Sequence, residues 1–342
     1  MTYGVLLPHF GPHSTRARIL GAGKLAERLG FDAVWVRDHL LWKPHTHEAA
    51  DAMPTTARRH DEAELTFLEP IVTLATLGAN TERITLGTSV LIPLRSPAKT
   101  AQELAALSYL TGGRVVAGIG AGHDRAEIAA AGMDPDRRRE TVIDMAAILR
   151  RLWSEDEVTY RGEIFSLDSA TLRPHPPIPI PILFGGPSRL AVRLAVQHYD
   201  GWIAGTVPFS TLDGRLERFH ELAASAGKTP ALVSVPRTSI DRDRSVARRR
   251  AKVDAMADDG VHHWEPGSYS TIEDLRGALL TGEPAEIVEQ VLEFADRGFD
   301  HFVFDLRWQF ERFEEGLELI AERVVPELQR AARPKVAGGR EA

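Results

Sequence analysis

Residues 83–123, RITLGTSVLIPLRSPAKTAQELAALSYLTGGRVVAGIGAGH, limit the fold of this chain more than any other stretch. Ile84, Leu86 and Val90 give the first segment the branched, apolar character of a buried strand, and Gly87, Thr88 and Ser89 narrow its far end. Pro97 then opens a helix carrying Leu104, Leu107 and Leu110, which Thr111-Gly112-Gly113 stops. A second buried run, 115–119, breaks into Gly120-Ala121-Gly122. Two apolar strands joined by a helix of this length pair in parallel through a right-handed crossover. Ligands of parallel sheets lie at the carboxyl ends of the strands, where Ser89 and these glycines gather.

The rest of the chain repeats this unit. Further strands are expected at 3–8, 31–36, 180–184, 201–205, 231–240 and 300–306. Helices are expected between them, among them 14–29, 66–80, 125–131, 136–153, 189–198, 212–226, 242–259, 283–298 and 310–325. Pro236 predicts an irregular end to the seventh strand, and Pro326 the end or a kink of the last helix. Eight strands alternating with helices, without a change of composition between them, predict an α/β fold: one (β/α)8 TIM barrel. Two doubly wound half-domains would show the same alternation. Against them, the first strand turns through Pro8-His9-Phe10-Gly11 and not through a G-x-G-x-x-G loop.

Three insertions interrupt the repeat. One follows strand 2 (40–64), one precedes strand 5 (a hairpin at 158–167, then a proline-rich approach), and one lies between strands 7 and 8 (262–280). The first has no hydrophobic period and reads as a lid, because structureless loops beyond about 12–15 residues are mostly functional or disordered. The barrel domain is expected to span 1–333, with a frayed tail at 334–342.

Composition removes several classes. A net charge of −7 argues against a nucleic-acid partner, which would need a basic surface. The absence of cysteine excludes disulfides and thiolate metal sites. No apolar run approaches a membrane span and no leader pattern opens the chain, so no membrane is expected and the location is read as cytoplasmic.

The order LLPHF, GFDAVWVRDH, RITLGTSVL, GGRVVAGIGAG, PHPPIPIPILFGG and DGW resembles the bacterial luciferase-like superfamily across roughly residues 3–319. Within it the chain is most similar to the deazaflavin-dependent oxidoreductases. The resemblance implies a barrel that binds coenzyme F420, with FMN as the alternative cofactor. It also implies that Asp38 and His39 face the cofactor ring, where an imidazole titrating near pH 6.5 gives or takes a proton. Trp42 is then a lid over the ring, and Thr88, Ser89 and Val90 shape the ring pocket, with a non-proline cis peptide between Ser89 and Val90. Phe184, Gly185, Gly186 and Ser188 precede a helix whose free N–H groups attract a phosphate, with Gly120, Ala121 and Gly122 behind them.

His123 is a departure. The family's sugar-phosphate dehydrogenases carry a glutamate there, so a sugar phosphate is not the expected substrate, and His123 is either a proton donor or a pocket wall. His9 and Trp308 complete the substrate-side candidates.

Two neighbouring activities follow: hydride exchange between F420 and a small organic substrate, or oxygenation by a monooxygenase using reduced FMN. Both place most of the chemistry in the cofactor. A metal-dependent hydrolase would draw on His45-x-His47, but that pair lies in the irregular lid and not on a strand end, and no metal is expected. A non-catalytic flavin-binding barrel is the remaining class, against which Asp38, His39 and Ser89 argue. The partner is a small molecule, and a homodimer is expected through Phe67, Leu68 and Ile71.

Overall fold

A computed structural model describes residues 1–40, 66–260, 264–267 and 269–331. Eight parallel strands close a barrel: β1 (Thr2–Leu6), β2 (Ala33–Val36), β3 (Thr85–Thr88), β4 (Val115–Gly120), β5 (Ile182–Gly185), β6 (Gly201–Ile203), β7 (Ala231–Ser234) and β8 (His301–Phe304). They stand around the barrel in chain order, and β1 closes it by pairing with β2 on one side and β8 on the other. The unit read from residues 83–123 is present as expected, with β3 and β4 adjacent, parallel and joined by a helix.

The helices between the strands are α1 (Arg16–Arg28), α2 (Pro70–Gly78), α3 (Pro97–Leu110), α4 (Arg125–Ala130), α5 (Arg138–Ser154), α6 (Arg189–His198), α7 (Phe209–Ser225), α8 (Arg244–Arg250), α9 (Val253–Gly260), α10 (Pro284–Asp296), α11 (Phe313–Arg323) and α12 (Val325–Ala331). Their starts follow local chemistry. Thr15, Ser96, Asp124 and Ser188 cap α1, α3, α4 and α6 through their side-chain oxygens, and proline opens α2, α3 and α10. The amino ends of β3 and β4 are fastened by Arg114, whose guanidinium donates to the carbonyls of Gly78, Thr81, Ile84 and Thr111.

Inside the barrel, glycines make room for one large ring. A Cβ on Gly87 would lie 2.5 Å from Trp35, and one on Gly4 would lie 2.7 Å from His301 and 2.8 Å from Trp35. Trp35 is buried between them and donates its indole N–H to His301 Nε2 at 3.0 Å. Close packing of this kind leaves no slack for added carbon.

Four expectations need correction. The seventh strand is two: β7 ends at Ser234, and after Pro236 the segment Arg237–Ile240 leaves the barrel to pair in parallel with Leu279–Gly282. That second segment begins inside the stretch expected to be irregular. The helix at 242–259 is broken at Ala251, which is extended, into α8 and α9. The helix at 66–80 starts only at Pro70, because a residue before proline is kept out of helical geometry. Finally, the last helix is a 3-10 turn (Arg307–Arg312) followed by α11 and α12. Pro326 sits in the first turn of α12, where its missing N–H is tolerated.

The insertion before β5 is an antiparallel hairpin of Val158–Arg161 and Ser166–Ala170. Asp144 on α5 holds it by accepting from the Tyr160 hydroxyl and the Ile164 and Phe165 amides. Nearly all of the expected lid after strand 2 and the tail at 334–342 lie outside the described residues.

Candidate active site

A cavity of about 550 Å³ opens at the carboxyl ends of the strands. Its border includes His39 after β2, Ser89 and Val90 after β3, Gly120 to His123 at the end of β4, and Phe184 to Ser188 at the end of β5. Ile203, Val235, Met256 and Trp264 supply apolar wall, Met256 from α9 and Trp264 from the insertion between β7 and β8. A second cavity, of about 660 Å³, lies at the opposite mouth among Phe31, Trp35, Val116 and Leu183. None of the expected site residues borders it, and barrel chemistry belongs to the carboxyl-terminal face.

The Ser89–Val90 peptide is cis. Val90 stands between β4 and β5, and the two glycines beside it are notches for its methyl groups. A Cβ on Gly185 would fall 2.3 Å from Val90 Cγ1, and one on Gly120 would fall 2.4 Å from Cγ2. Gly186 differs. Its φ of 153° is one that side chains rarely adopt, a Cβ there would stand 3.1 Å from Ala191 Cβ, and the residue borders the cavity. Ser188 accepts from the Ala191 amide and caps α6, whose amino end points at the same rim. Arg138 and Arg139 border the rim beside it, and Arg138 donates to the Gly122 carbonyl at 2.7 Å. An apolar slot with anion-attracting groups at one end fits a flat ring carrying a phosphate.

His39 is oriented by a residue the sequence did not single out. Its Nδ1 lies 3.0 Å from Oε2 of Glu127 on α4, and the other Glu127 oxygen accepts the Leu40 amide. A carboxylate only accepts, so Nδ1 carries the proton, and Nε2 is the nitrogen on the far side of the ring. Phe67 and His123 stand edge-on to the same imidazole, at centroid distances of 5.2 and 5.9 Å. The only advance signal for Glu127 was an acidic residue close behind the strand-end glycines.

Asp38 borders the cavity, but its oxygens are taken by Arg95 (2.9 Å) and the Ile92 amide (3.2 Å). Burial pushes its pKa up, against the pull of Arg95. It locks the loop after β3 and does not work as a free acid at the ring. Thr88 does not border the cavity. Its hydroxyl donates to the Gly118 carbonyl and accepts from the Gly118 amide, both at 2.9 Å, stitching β3 to β4.

His9 is withdrawn from the substrate side. It is fully buried, its Nδ1 donates to the Leu7 carbonyl at 2.9 Å and its Nε2 accepts the Arg37 amide at 2.9 Å. Burial lowers its pKa to about 4, so it stays neutral. Trp308 is half-buried against the core and is not part of the cavity border. Trp42 lies outside the described residues, as does the His45-x-His47 pair. Among the described residues, no cluster of three metal-ligating side chains occurs.

Arg37 and Arg237 form part of the inner wall, and both reach Asp305 with Arg307, at 4.0, 2.9 and 2.7 Å respectively. Burial alone would raise the Asp305 carboxyl, but the three guanidiniums outweigh it and hold it well below the usual range. Sequence reading missed this cluster, because its members come from three different strand ends.

Comparison with known proteins agrees with this architecture. The sequence profile of the family described as luciferase-like monooxygenase matches residues 1–301. An F420-dependent glucose-6-phosphate dehydrogenase from Intrasporangium calvum is 31% identical over 308 residues, covering 81% of this chain and 85% of the relative. Another, from Beutenbergia cavernae, is 31% identical and covers 90% of this chain and 92% of the relative. In structure, an F420-dependent secondary alcohol dehydrogenase in complex with an F420-acetone adduct superposes with a TM-score of 0.74 at 23% identity, covering 96% of this chain and 98% of the other. The monooxygenase RslO1 from Streptomyces bottropensis gives the same TM-score at 21% identity, covering 96% and 99%. At that identity the structures speak for the fold, whereas the profile match speaks for descent: this chain belongs to the luciferase-like monooxygenase family.

Proposed function

We propose that this protein is a coenzyme F420-dependent oxidoreductase that exchanges a hydride with a small, uncharged alcohol or carbonyl compound, with His39 carrying the accompanying proton. The observation that carries this reading is the His39 imidazole, held at Nδ1 by a buried carboxylate on the border of an apolar slot. When bound, the deazaflavin would supply the hydride donor or acceptor. The protein's part is to seat the ring against Val90, place the phosphate near Gly186, Ser188 and the amino end of α6, and hold a proton at His39. Arg138 and Arg139 suit the anionic tail of F420, which carries more negative charge than the single phosphate of FMN.

Relatives near 30% identity are named for F420 and glucose 6-phosphate. The cofactor carries over more readily than the sugar phosphate. His123 replaces the acidic residue expected of sugar-phosphate dehydrogenases, and Ile203, Val235, Met256 and Trp264 give the cavity apolar walls.

Anaerobic fluorescence titration with F420 and with FMN, followed by F420 reduction assays against secondary alcohols and aldehydes, tests the proposal. The expected result is tighter binding of F420 and turnover without oxygen. Binding of reduced FMN alone, with oxygen consumption, would instead make the protein a monooxygenase.

A homodimer in the cytoplasm is the expected working form. Phe67 and Ile71 pack inward, so the exposed Val72, Tyr109 and Leu110 on α2 and α3 are the better contact residues. No helix among the described residues is long and apolar enough to cross a membrane. Light scattering on the purified protein checks the dimer.

A further inference from the structure

We propose that Glu127 is a positioning residue for proton transfer: it fixes the Nδ1–H tautomer of His39, directs Nε2 to the reacting side, and steadies the imidazolium formed there. This rests on the reading of His39 as the proton carrier.

Glu127 is fully buried, and its two oxygens engage consecutive residues, the His39 ring and the Leu40 amide. Its own backbone is held as firmly. Asp124 Oδ1 accepts the amides of Ala126 and Glu127 at 2.8 and 3.1 Å, anchoring the start of α4. A buried carboxylate is costly unless it is hydrogen-bonded, so the Glu127–His39 contact and the charge on Glu127 sustain each other. Phe67 and His123 then limit the swing of the imidazole from two sides.

Other ionisable groups near His39 include His123 from the end of β4, and Arg37 and Asp38 on its own strand end. These last two are paired with Asp305 and Arg95. Glu127 places a carboxylate oxygen in direct contact with the ring.

The step served is simple. In alcohol oxidation the hydroxyl proton would pass to His39 Nε2 as the O–H bonding pair becomes the second C=O bond, and the deazaflavin, when bound, would supply the acceptor for the hydride released from carbon. A neutral imidazole with the proton on Nε2 could not accept it. A carboxylate at Nδ1 excludes that tautomer and offsets the positive charge that follows.

The test is a ring-nitrogen NMR titration of cofactor-free protein, with His39→Ala used to assign the signal. Glu127→Gln is expected to lower the His39 midpoint by about one pH unit and to mix the tautomers, and Glu127→Asp is expected to retain most of the wild-type behaviour. F420 affinity should change less than about threefold. F420 reduction, measured with whichever secondary alcohol the wild-type enzyme oxidises, should fall about 10²-fold in Glu127→Gln, with its pH limb moving as the NMR midpoint moves. The double variant Glu127→Gln/His39→Ala should be no slower than His39→Ala.

An unshifted midpoint and tautomer in Glu127→Gln overturns the role of Glu127 alone. Additive rate losses in the double variant, or joint loss of F420 binding and thermal stability in both Glu127 variants, overturns it as well. A shifted midpoint with full turnover in His39→Ala overturns the catalytic reading of His39 itself.

Discussion

Replacing Gly185 with alanine places a methyl group where a methyl of Val90 already stands. The new Cβ would lie 2.3 Å from Val90 Cγ1, whereas carbon atoms settle at about 3.5–4.0 Å, so one partner must yield by more than about 1 Å. Val90 cannot simply turn away, because its second methyl fills the matching notch at Gly120, 2.4 Å from where a Cβ would sit. Overpacking of this kind costs about 1–3 kcal/mol, partly offset by up to about 1 kcal/mol from the stiffer unfolded chain. The expected net loss for Gly185→Ala is about 1–2 kcal/mol, read as a lower urea midpoint at pH 7. Val90→Ala removes both methyls and leaves its Cβ 3.5 Å from the new one, an ordinary contact. The double variant should therefore match Val90→Ala to within about 0.5 kcal/mol. Wild-type stability in Gly185→Ala, or a double variant that sums the two losses, would refute the notch and return Gly185 to a role in ligand approach.

Thr88→Val removes the hydroxyl that both donates to and accepts from Gly118, taking this partner from the buried amide while the carbonyl keeps the Leu91 amide. A loss of about 1–3 kcal/mol in urea unfolding is expected, with F420 affinity little changed. Gly186→Ala with Ser188→Ala should weaken F420 binding in fluorescence titration while unfolding stays cooperative; the lost cap should cost about 1 kcal/mol, and a side chain at the Gly186 φ of 153° about 1–3 kcal/mol more. Burial lowers His9 and His301 to about 4, so between pH 6.5 and 4 the unfolded chain binds the more protons and stability rises with pH. Each histidine should contribute a loss of about 1.5 kcal/mol between pH 6.5 and 5, and a flat urea midpoint across that window would count against both assignments.

The barrel was legible because its signals are local. Apolar runs of strand length, proline and glycine at helix ends, and a crossover of fixed hand place β3, α3 and β4 without help from the rest of the chain. The seventh strand shows where such signals stop. ALVSVPRTSI is one branched, apolar run in the sequence, yet its first half joins the barrel and its second half pairs with Leu279–Gly282. Either partner would satisfy the same pattern, and the choice depends on segments far along the chain. Pro236 marked the break but not the destination.

The site divides along the same line. Glycines, Ser89 and His39 could be placed at the rim because strand ends could be placed. Which carboxylate serves His39 could not be read, because chain neighbourhood and spatial neighbourhood differ. Asp38 is adjacent in sequence, but its charge is spent on Arg95, 57 residues on, and the partner of the imidazole is Glu127, 88 residues on. His9 is the converse case: a strand-end histidine with the same local credentials as His39, but with both nitrogens bound to backbone groups of the first two strand ends. A side chain at the rim is chemically available only when the surrounding structure has not already used its polar atoms. That condition is set by contacts across the barrel, so it separates His39 from His9 where residue type and strand position cannot.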